Sequence, residues 1–337
     1  DGVEIDIVLA MIGTIGDIVP LTGENRLLVQ RGLNLVPKLP DGPLKTLFSM
    51  TDILTPRASD IAFRIVPRIN ASGRMADPFV ALKALLEGGE YLEQLSALNR
   101  ERQDLVEELA LTVDAKIQKD ALFLTIADSV IPIGIAGLLA SRFSESLGRP
   151  SLIAAIHGDH CHASLRSIPQ VDLREIFSDT AITQHLVSFG GHAQAAGCTF
   201  LHQNFPFVRA ALQDWMSIHG HTHALLKPAL SLDAELHPSL LSMNFAESLE
   251  KLEPFGEGND EPRFLLRDVA ISDCRRVGTD GAHLQCRIAN TKAIGFRFGE
   301  YIESLPSSID CAVRIGKNTW NRQTSLQLII EDLRLAS

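Results

Sequence analysis

At 337 residues, with 45% hydrophobic and 21% charged residues, the chain has the composition of a globular protein large enough for two or three domains, and no apolar run is long enough to span a bilayer. Its five cysteines, Cys161, Cys198, Cys274, Cys286 and Cys311, are scattered, odd in number and without close pairs, so they imply neither a disulfide framework nor a thiolate zinc site, and a reducing cytoplasm fits best. The net charge of −10 argues against a protein that coats nucleic acid over its whole surface, but residues 263–337 hold 11 Lys and Arg against 8 Asp and Glu, compatible with a local basic groove.

Taken in chain order, residues 5–15 form a continuous apolar run that predicts a strand buried on both faces of a parallel sheet. Asp17 falls just past its end, where open α/β sheets place ligands and where a carboxylate can equally cap a helix. A buried element so close to Asp1 predicts that part of this domain lies upstream. Residues 25–36 predict a helix with Leu27, Leu28, Leu35 and Val36 on its apolar face, and 37–43 a loop. Residues 60–66 read as a short helix ended by Pro67, and 68–75 as a glycine-bearing turn. Arg57, Arg64, Arg68 and Arg74, with Asn70, concentrate donors there that suit bidentate anion contacts. Residues 78–119 predict a long helical connector broken at Gly88-Gly89.

The next block alternates strand and helix, with strands at 121–127, 150–156 and 161–168 and helices at 134–147 and 205–218. Ser164, Arg166 and Ser167 lie on the third strand. Gly190-Gly191-His192 predicts a glycine turn feeding a short helix over 192–196 that Gly197 stops. Its N–H groups and dipole would favour an anion, with His192 as a further donor. Hydroxyls, arginine and glycine turn would then meet on one phosphate. The histidine clusters at 157–162 and 219–223 read as a solvated turn and linker without a functional metal. Residues 232–252 add a strand and a helix, and Pro254 to Asn259 a rigid bend. Short strands at 264–266, 269–271, 283–288, 293–298, 311–315 and 326–330 predict a small barrel. Arg275, Arg276, Arg287, Arg297, Arg314 and Lys317 with Phe296, Phe298 and Trp320 fit either an OB-fold that binds single strands or an ordinary core with surface charge.

Five motifs carry a resemblance: Gly13-Thr14-Ile15-Gly16-Asp17 running into Pro20-Leu21, Pro67-Arg68-Ile69-Asn70-Ala71-Ser72-Gly73-Arg74-Met75, Ser164-Leu165-Arg166-Ser167, Gly190-Gly191-His192, and Pro254-Phe255-Gly256-Glu257-Gly258-Asn259. In this order they resemble the RecJ single-stranded-DNA-specific 5′ exonucleases of the DHH phosphoesterase superfamily, over essentially the whole chain. The resemblance implies an α/β architecture: the end of a DHH catalytic domain (1–76), a linker helix (77–119), a DHH-associated domain (120–224) and an OB-fold-like domain (225–337). It implies phosphodiester hydrolysis with Mn2+ or Mg2+ in DNA repair and recombination. Asp17 matches a metal-binding aspartate. Ser164, Arg166, Ser167, Gly190, Gly191 and His192 match phosphate-contacting positions, His192 also counting as catalytic, and Asn70 and Arg74 match the linker motif facing the cleft. Single-stranded DNA is the implied partner, with a helicase or single-strand-binding protein as further candidates and no membrane.

The departures matter equally. The superfamily's Asp-His-His and its earlier aspartates do not occur in this sequence, so the remaining metal ligands are expected upstream of Asp1 and the chain alone is expected to be inactive. Ile131-Pro132 stands where the family often has Trp-His. Two alternatives remain at this point: a DHH-family phosphodiesterase acting on short oligonucleotides or cyclic dinucleotides, which would not usually carry the trailing β segment, and a nuclease-dead single-strand-binding module.

Overall fold

The computed structural model describes residues 2–51, 53, 55–220, 229–278, 280–320 and 323–335. Helices α1 (Gly2–Gly16), α2 (Gly23–Leu35), α3 (Pro43–Ser49), α4 (Ala58–Asp60), α5 (Val66–Met75), α6 (Phe79–Leu86) and α7 (Glu90–Asp114) come first. An α/β segment follows: β1 (Leu124–Asp128), α8 (Ile133–Leu147), β2 (Ser151–His157), β3 (His160–Arg166), α9 (Leu173–Ile176), α10 (Thr180–Thr183), β4 (Ser188–Gly191), β5 (Ala195–Leu201) and α11 (Phe205–Ile218). The last stretch holds β6 (Ala234–Glu235), α12 (Met243–Glu250), β7 (Phe264–Val277), β8 (His283–Ile288), β9 (Thr291–Gly295), β10 (Ser308–Trp320) and β11 (Gln323–Leu335). These form two compact units, Asp1–Leu39 with Ile53–Phe63 and Leu230–Ser337, and Pro40–Asp52 with Arg64–Ala229.

In the first unit, residues 5–15 are helical, which corrects the expected strand. α1 buries Val8, Met11 and Ile12, an i, i+3, i+4 set that only a helix puts on one face. The unbroken apolar part, residues 7–12, has no period of its own, and the whole stretch 5–15, interrupted by Asp6, already exceeds the length of most buried strands; its β-branched residues misled. Gly32 lets α2 approach, since a Cβ there would stand 2.6 Å from the Met11 Cβ. α2 therefore buries Val29 and Gly32, and the expected Leu27 is 66% exposed.

The bend at Pro254 to Asn259 locks onto the start of α2. Leu21 N–H donates to the Glu257 carbonyl at 2.7 Å, and the Arg26 guanidinium donates to the carbonyls of Leu252, Glu253 and Pro254. Beyond it, β7, β8 and β9 pair antiparallel, β9 pairs parallel with β11, and β10 pairs antiparallel with both β11 and β7. The pairings thus return to β7. The two short strands expected at 264–271 are one 14-residue strand, irregular in register where it meets β8 and β10. Alternation in β8 sends Leu284, Cys286 and Ile288 into a core with Leu266, Val313 and Leu328.

The second unit is built on a five-stranded sheet ordered β1-β2-β3-β5-β4, parallel between β1 and β2 and antiparallel elsewhere. α8 and the end of α7 cover one face through Leu109, Val113, Ile126, Ile135, Leu139 and Ile153. α9, α10 and α11 cover the other through Leu173, Ile182, Leu212 and Trp215, packed on Leu152, Leu165 and Phe200. Helices α6 and α7 flank the expected break at Gly88-Gly89. Residues 68–75, expected as a turn, are instead helical within α5, entered by a π-helical turn at Ile61–Ile65. Pro67 sits in the first turn of α5, where its missing N–H would have no helical partner anyway.

Residues 190–197 hold a second correction. Ser188–Gly191 is the edge strand β4, and Ala195–Leu201 is β5, so Gly190-Gly191-His192 enters a hairpin and not a helix. The alanines pack by alternation, Ala196, Cys198 and Phe200 being buried, and this outweighs alanine's helical preference. His157 and His160 close the β2–β3 hairpin through Gly158. His219 caps α11, its Nδ1 2.8 Å from the Trp215 carbonyl, whereas His221 and His223 lie outside the described residues. No described helix is long and apolar enough to cross a membrane.

Candidate phosphate-binding site

Alternation along β3 buries Cys161, Ala163 and Leu165 and turns His162, Ser164 and Arg166 to the opposite face. In register with them, β5 supplies Thr199, Gly197 and Ala195. β4 then adds Ser188 opposite Thr199 and Gly190 opposite Gly197. A groove of about 330 Å3 runs over this part of the sheet, lined by His162, Ser164, Ser188, Gly190, Gly197 and Thr199 and bordered by Ile133 of α8. Most hydroxyls nearby are bonded to carbonyls, as in Ser141, Ser144 and Ser151. Among the described residues, by contrast, the side chains of His162, Ser164, Ser188 and Thr199 make no hydrogen bond to protein, so the groove is lined by free donors and acceptors.

Arginines gather at one end of this face. Glycines of α8 bring them in: a Cβ on Gly134 would lie 2.2 Å from the Arg74 carbonyl oxygen, and one on Gly137 would lie 3.2 Å from Arg166 Nη2 and 3.5 Å from Ser164 Oγ. Arg74 Nη1 donates to the Gly134 carbonyl at 3.3 Å, and Arg166 Nη1 to the Leu165 carbonyl at 2.8 Å. Arg102 of α7 joins them, its Nε buried without a partner, as is that of Arg68. Burial first, and then the charge of Arg74, lowers the proton affinity of both Arg102 and Arg166 below the usual guanidinium range; burial does the same for Arg74. Arg68 is lowered by burial and by the charges of Arg64 and Arg100. Among the described residues Arg68, Arg74, Arg102 and Arg166 have no carboxylate partner. Crowded, desolvated, unpaired cations beside free hydroxyls are arranged for a polyvalent anion such as phosphate.

The structure thus brings together Arg74, Ser164, Arg166 and Gly190. Asn70 is exposed one turn before Arg74 on α5. Gly191 has φ 150, and a Cβ there would strike Ala196 Cα at 2.4 Å, so this glycine serves the hairpin itself. His192 is exposed in the hairpin turn, its N–H bonded to the Ala195 carbonyl at 2.8 Å. Ser167 donates its hydroxyl proton to the Val171 carbonyl at 2.6 Å, a structural bond that leaves no proton for an anion. Arg102 escaped the sequence reading. Its signal was present: on an acidic helix, positions 98, 99, 105 and 106 around it are Leu98, Asn99, Leu105 and Val106, none able to neutralise it.

Asp17 is exposed just past α1, its N–H bonded to the Gly13 carbonyl at 2.9 Å. Among the described residues no three His, Cys, Asp or Glu side chains come together as a metal-ligand set, so these residues by themselves do not fit a resident metal. The β-rich segment is less open than its sequence suggested. Arg276, Arg287, Arg314 and Lys317 pair with Glu303, Asp273, Glu261 and Glu331, and Glu250. Phe298 packs on the core, whereas Phe296 is 56% exposed beside His283.

The DHHA1 domain family matches residues 119–218 and the RecJ OB domain family residues 232–332. Over 97% of its length the chain is 32% identical to the single-stranded-DNA-specific exonuclease RecJ of Thermus thermophilus, of which it covers 47%, and over 96% it is 29% identical to that of Bacillus subtilis, of which it covers 43%. It therefore spans just under half the length of these relatives. The crystal structure of Thermus thermophilus RecJ with Mg2+ superposes with a TM-score of 0.87 at 29% identity, covering 99% of this chain and 53% of that one, and the structure with Mn2+ gives 0.86. By both domain matches and by likeness along nearly its whole length, the chain belongs to the RecJ family.

Proposed function

We propose that this chain supplies the strand-end-binding part of a divalent-metal-dependent 5′–3′ exonuclease acting on single-stranded DNA. The observation that carries the reading is the set of unpaired guanidiniums, Arg74, Arg102 and Arg166, beside the free hydroxyl of Ser164. A terminal phosphomonoester offers more negative charge than an internal phosphodiester, so this set would favour a 5′-phosphorylated end and thereby fix polarity. Within the β-rich segment, exposed Phe296 and Arg297 offer a stacking ring and a cation suited to single-stranded nucleic acid. Asp17 offers one carboxylate toward a metal ion, and hydrolysis is not assigned to the remaining residues. The match to the RecJ OB domain favours this reading over a phosphodiesterase of short oligonucleotides.

The test is fluorescence anisotropy of the chain with labelled single-stranded oligonucleotides bearing a 5′-phosphate or a 5′-hydroxyl. Tighter binding of the phosphorylated end, lost in Arg74→Ala and Arg166→Ala, is expected. Equal affinity for the two ends in the native chain would refute it.

A further inference from the structure

The long strand β7 carries one residue too many where it meets β8. Ile271 stands opposite Ile288 and Ser272 opposite Arg287, but the next matched pair is Arg275 opposite Gln285. Asp273 and Cys274 therefore share the single partner Cys286, which makes a β-bulge. Asp273, with a φ of 53°, takes the left-handed conformation that absorbs the extra residue. Without the bulge, Cys274 would stand opposite Gln285 and turn away from the core with it. With it, Cys274 packs against the core that holds Cys286 and Cys311. Side chains pin the register on both sides: Arg287 Nε lies 3.2 Å from Asp273 Oδ2, and Arg275 Nε donates to Gln285 Oε1 at 2.7 Å.

The two thiols are hydrogen-bonded to each other. Cys274 donates weakly to the Ser272 carbonyl at 3.8 Å, and its sulfur accepts from the Cys286 S–H. Burial, and then the charge of Asp273, hold Cys274 above the usual thiol range, and the bond from Cys286 partly offsets them. Cys286 is pushed up to about 12, by burial first and then by Cys274. The proton of the pair thus stays on Cys286, and a thiolate forms on Cys274, which alone of the five cysteines is not fully buried. Directly opposed residues of antiparallel strands have Cα atoms about 4.5–5.5 Å apart, inside the range of about 4.4–6.8 Å that a disulfide spans. Cys161 and Cys198 lack both features: Cys198 stands opposite Ala163, and both thiols are buried.

We propose that Cys274 and Cys286 are a redox pair that hydrogen peroxide converts to a cross-strand disulfide. The Cys274 thiolate attacks one peroxide oxygen, the O–O bond breaks, and a sulfenic acid forms as hydroxide leaves. The Cys286 sulfur then attacks the sulfenic sulfur. The S–S bond forms as the S–O bond breaks, and the Cys286 proton departs with the hydroxyl as water. In sum the two thiols lose two electrons and two protons, and one peroxide becomes two waters. The link closes the chain between residues 274 and 286 and braces β7 to β8, so the oxidised protein resists heat better than the reduced one.

The experiment is treatment of the reduced protein with hydrogen peroxide, followed by alkylation, peptide mapping by mass spectrometry and thermal unfolding. The expected result is loss of two of the five free thiols, a monomer lighter by two hydrogens, and a linked pair of peptides carrying Cys274 and Cys286. A higher unfolding midpoint accompanies the link, and dithiothreitol reverses both. In Cys286→Ala, Cys274 should stop at the sulfenic acid, which dimedone traps, and Cys274→Ser should form no link. Cys311→Ala, altered in the same core, should still form it. The peptide map of the native chain decides the matter even where Cys286→Ala does not fold. The proposal is overturned if all five thiols survive, if Cys274 advances to the sulfinic acid while Cys286 stays free, if Cys286 links to Cys311, or if the bond joins two chains.

Discussion

Arg74 and Arg166 are held by successive turns of one helix: the Arg74 backbone packs on Gly134, the Arg166 guanidinium lies against Gly137, and the charge of the first weakens proton binding by the second. Two cations placed this way, with no described carboxylate between them, lower stability unless an anion joins them.

Replacing Arg166 should therefore separate binding from folding. Arg166→Ala is expected to weaken a 5′-phosphorylated oligonucleotide by about 1.5–3 kcal/mol, the range for a charged hydrogen bond, and to reduce the salt slope of binding by about 1. Urea unfolding should show no loss of stability, because a repulsion is removed. Arg166→Lys should restore only part of the affinity, since an ammonium lacks the planar fork. An anisotropy series across salt concentrations reads the three binding effects, and an unchanged slope would remove Arg166 from the phosphate contacts.

Gly134→Ala sets local propensity against packing. In an isolated helix the change gains about 1 kcal/mol, but here the new methyl would press on the Arg74 carbonyl oxygen, which is backbone and cannot rotate aside. Overpacking of this kind costs about 1–3 kcal/mol. The expected result is a lower unfolding midpoint together with weaker phosphate binding, although residue 134 contributes no side-chain donor. A stabilised variant with native affinity would mean that α5 and α8 are free to separate.

Ser164 and Arg166 could be placed together from the sequence because β3 alternates cleanly, and the α8 and α11 boundaries followed from ordinary periodicity and capping. Residues 5–15 and 190–197 could not be read correctly, for the same physical reason. An unbroken apolar run and a run of small residues both lack a period, so the neighbours decide: Gly32 admits α2 against Met11, and β3 pairs with β5. Arg102 was hidden by distance along the chain, being 28 residues from Arg74 by number and adjacent only after α5 packs on α7.

The buried thiols give a pH prediction. Burial pushes Cys161 up to about 11 and Cys198, Cys286 and Cys311 up to about 12. In the unfolded chain these groups ionise near their ordinary value of about 9, while the folded chain keeps them protonated. Their contribution to stability is thus complete below pH 9 and is lost as pH rises from 9 toward 11 or 12, by about 1.4 kcal/mol per thiol per pH unit. Urea unfolding at pH 7, 9 and 10 should show the fall, and Cys198→Ala should make it shallower. In the native chain at pH 8, a thiol reagent should label Cys274, which is only partly buried, well before the other four.

Asp17 offers the sharpest test of a role that the fold does not need. Its carboxylate is exposed and follows the C-terminal end of α1, where the helix dipole is negative and an acid is unfavourable by about 0.3–1 kcal/mol. No described group donates a hydrogen bond to it. A residue with only a structural task at this position would do better uncharged, so Asp17→Asn is expected to raise the thermal midpoint slightly in the absence of metal. If Asp17 contributes to a divalent-metal site, the same substitution should abolish any rise in midpoint that Mn2+ gives the native protein, while binding of 5′-phosphorylated DNA stays unchanged. A variant that unfolds more readily without metal would instead make Asp17 a cap for the turn after α1, and the metal assignment would lose its support from this chain.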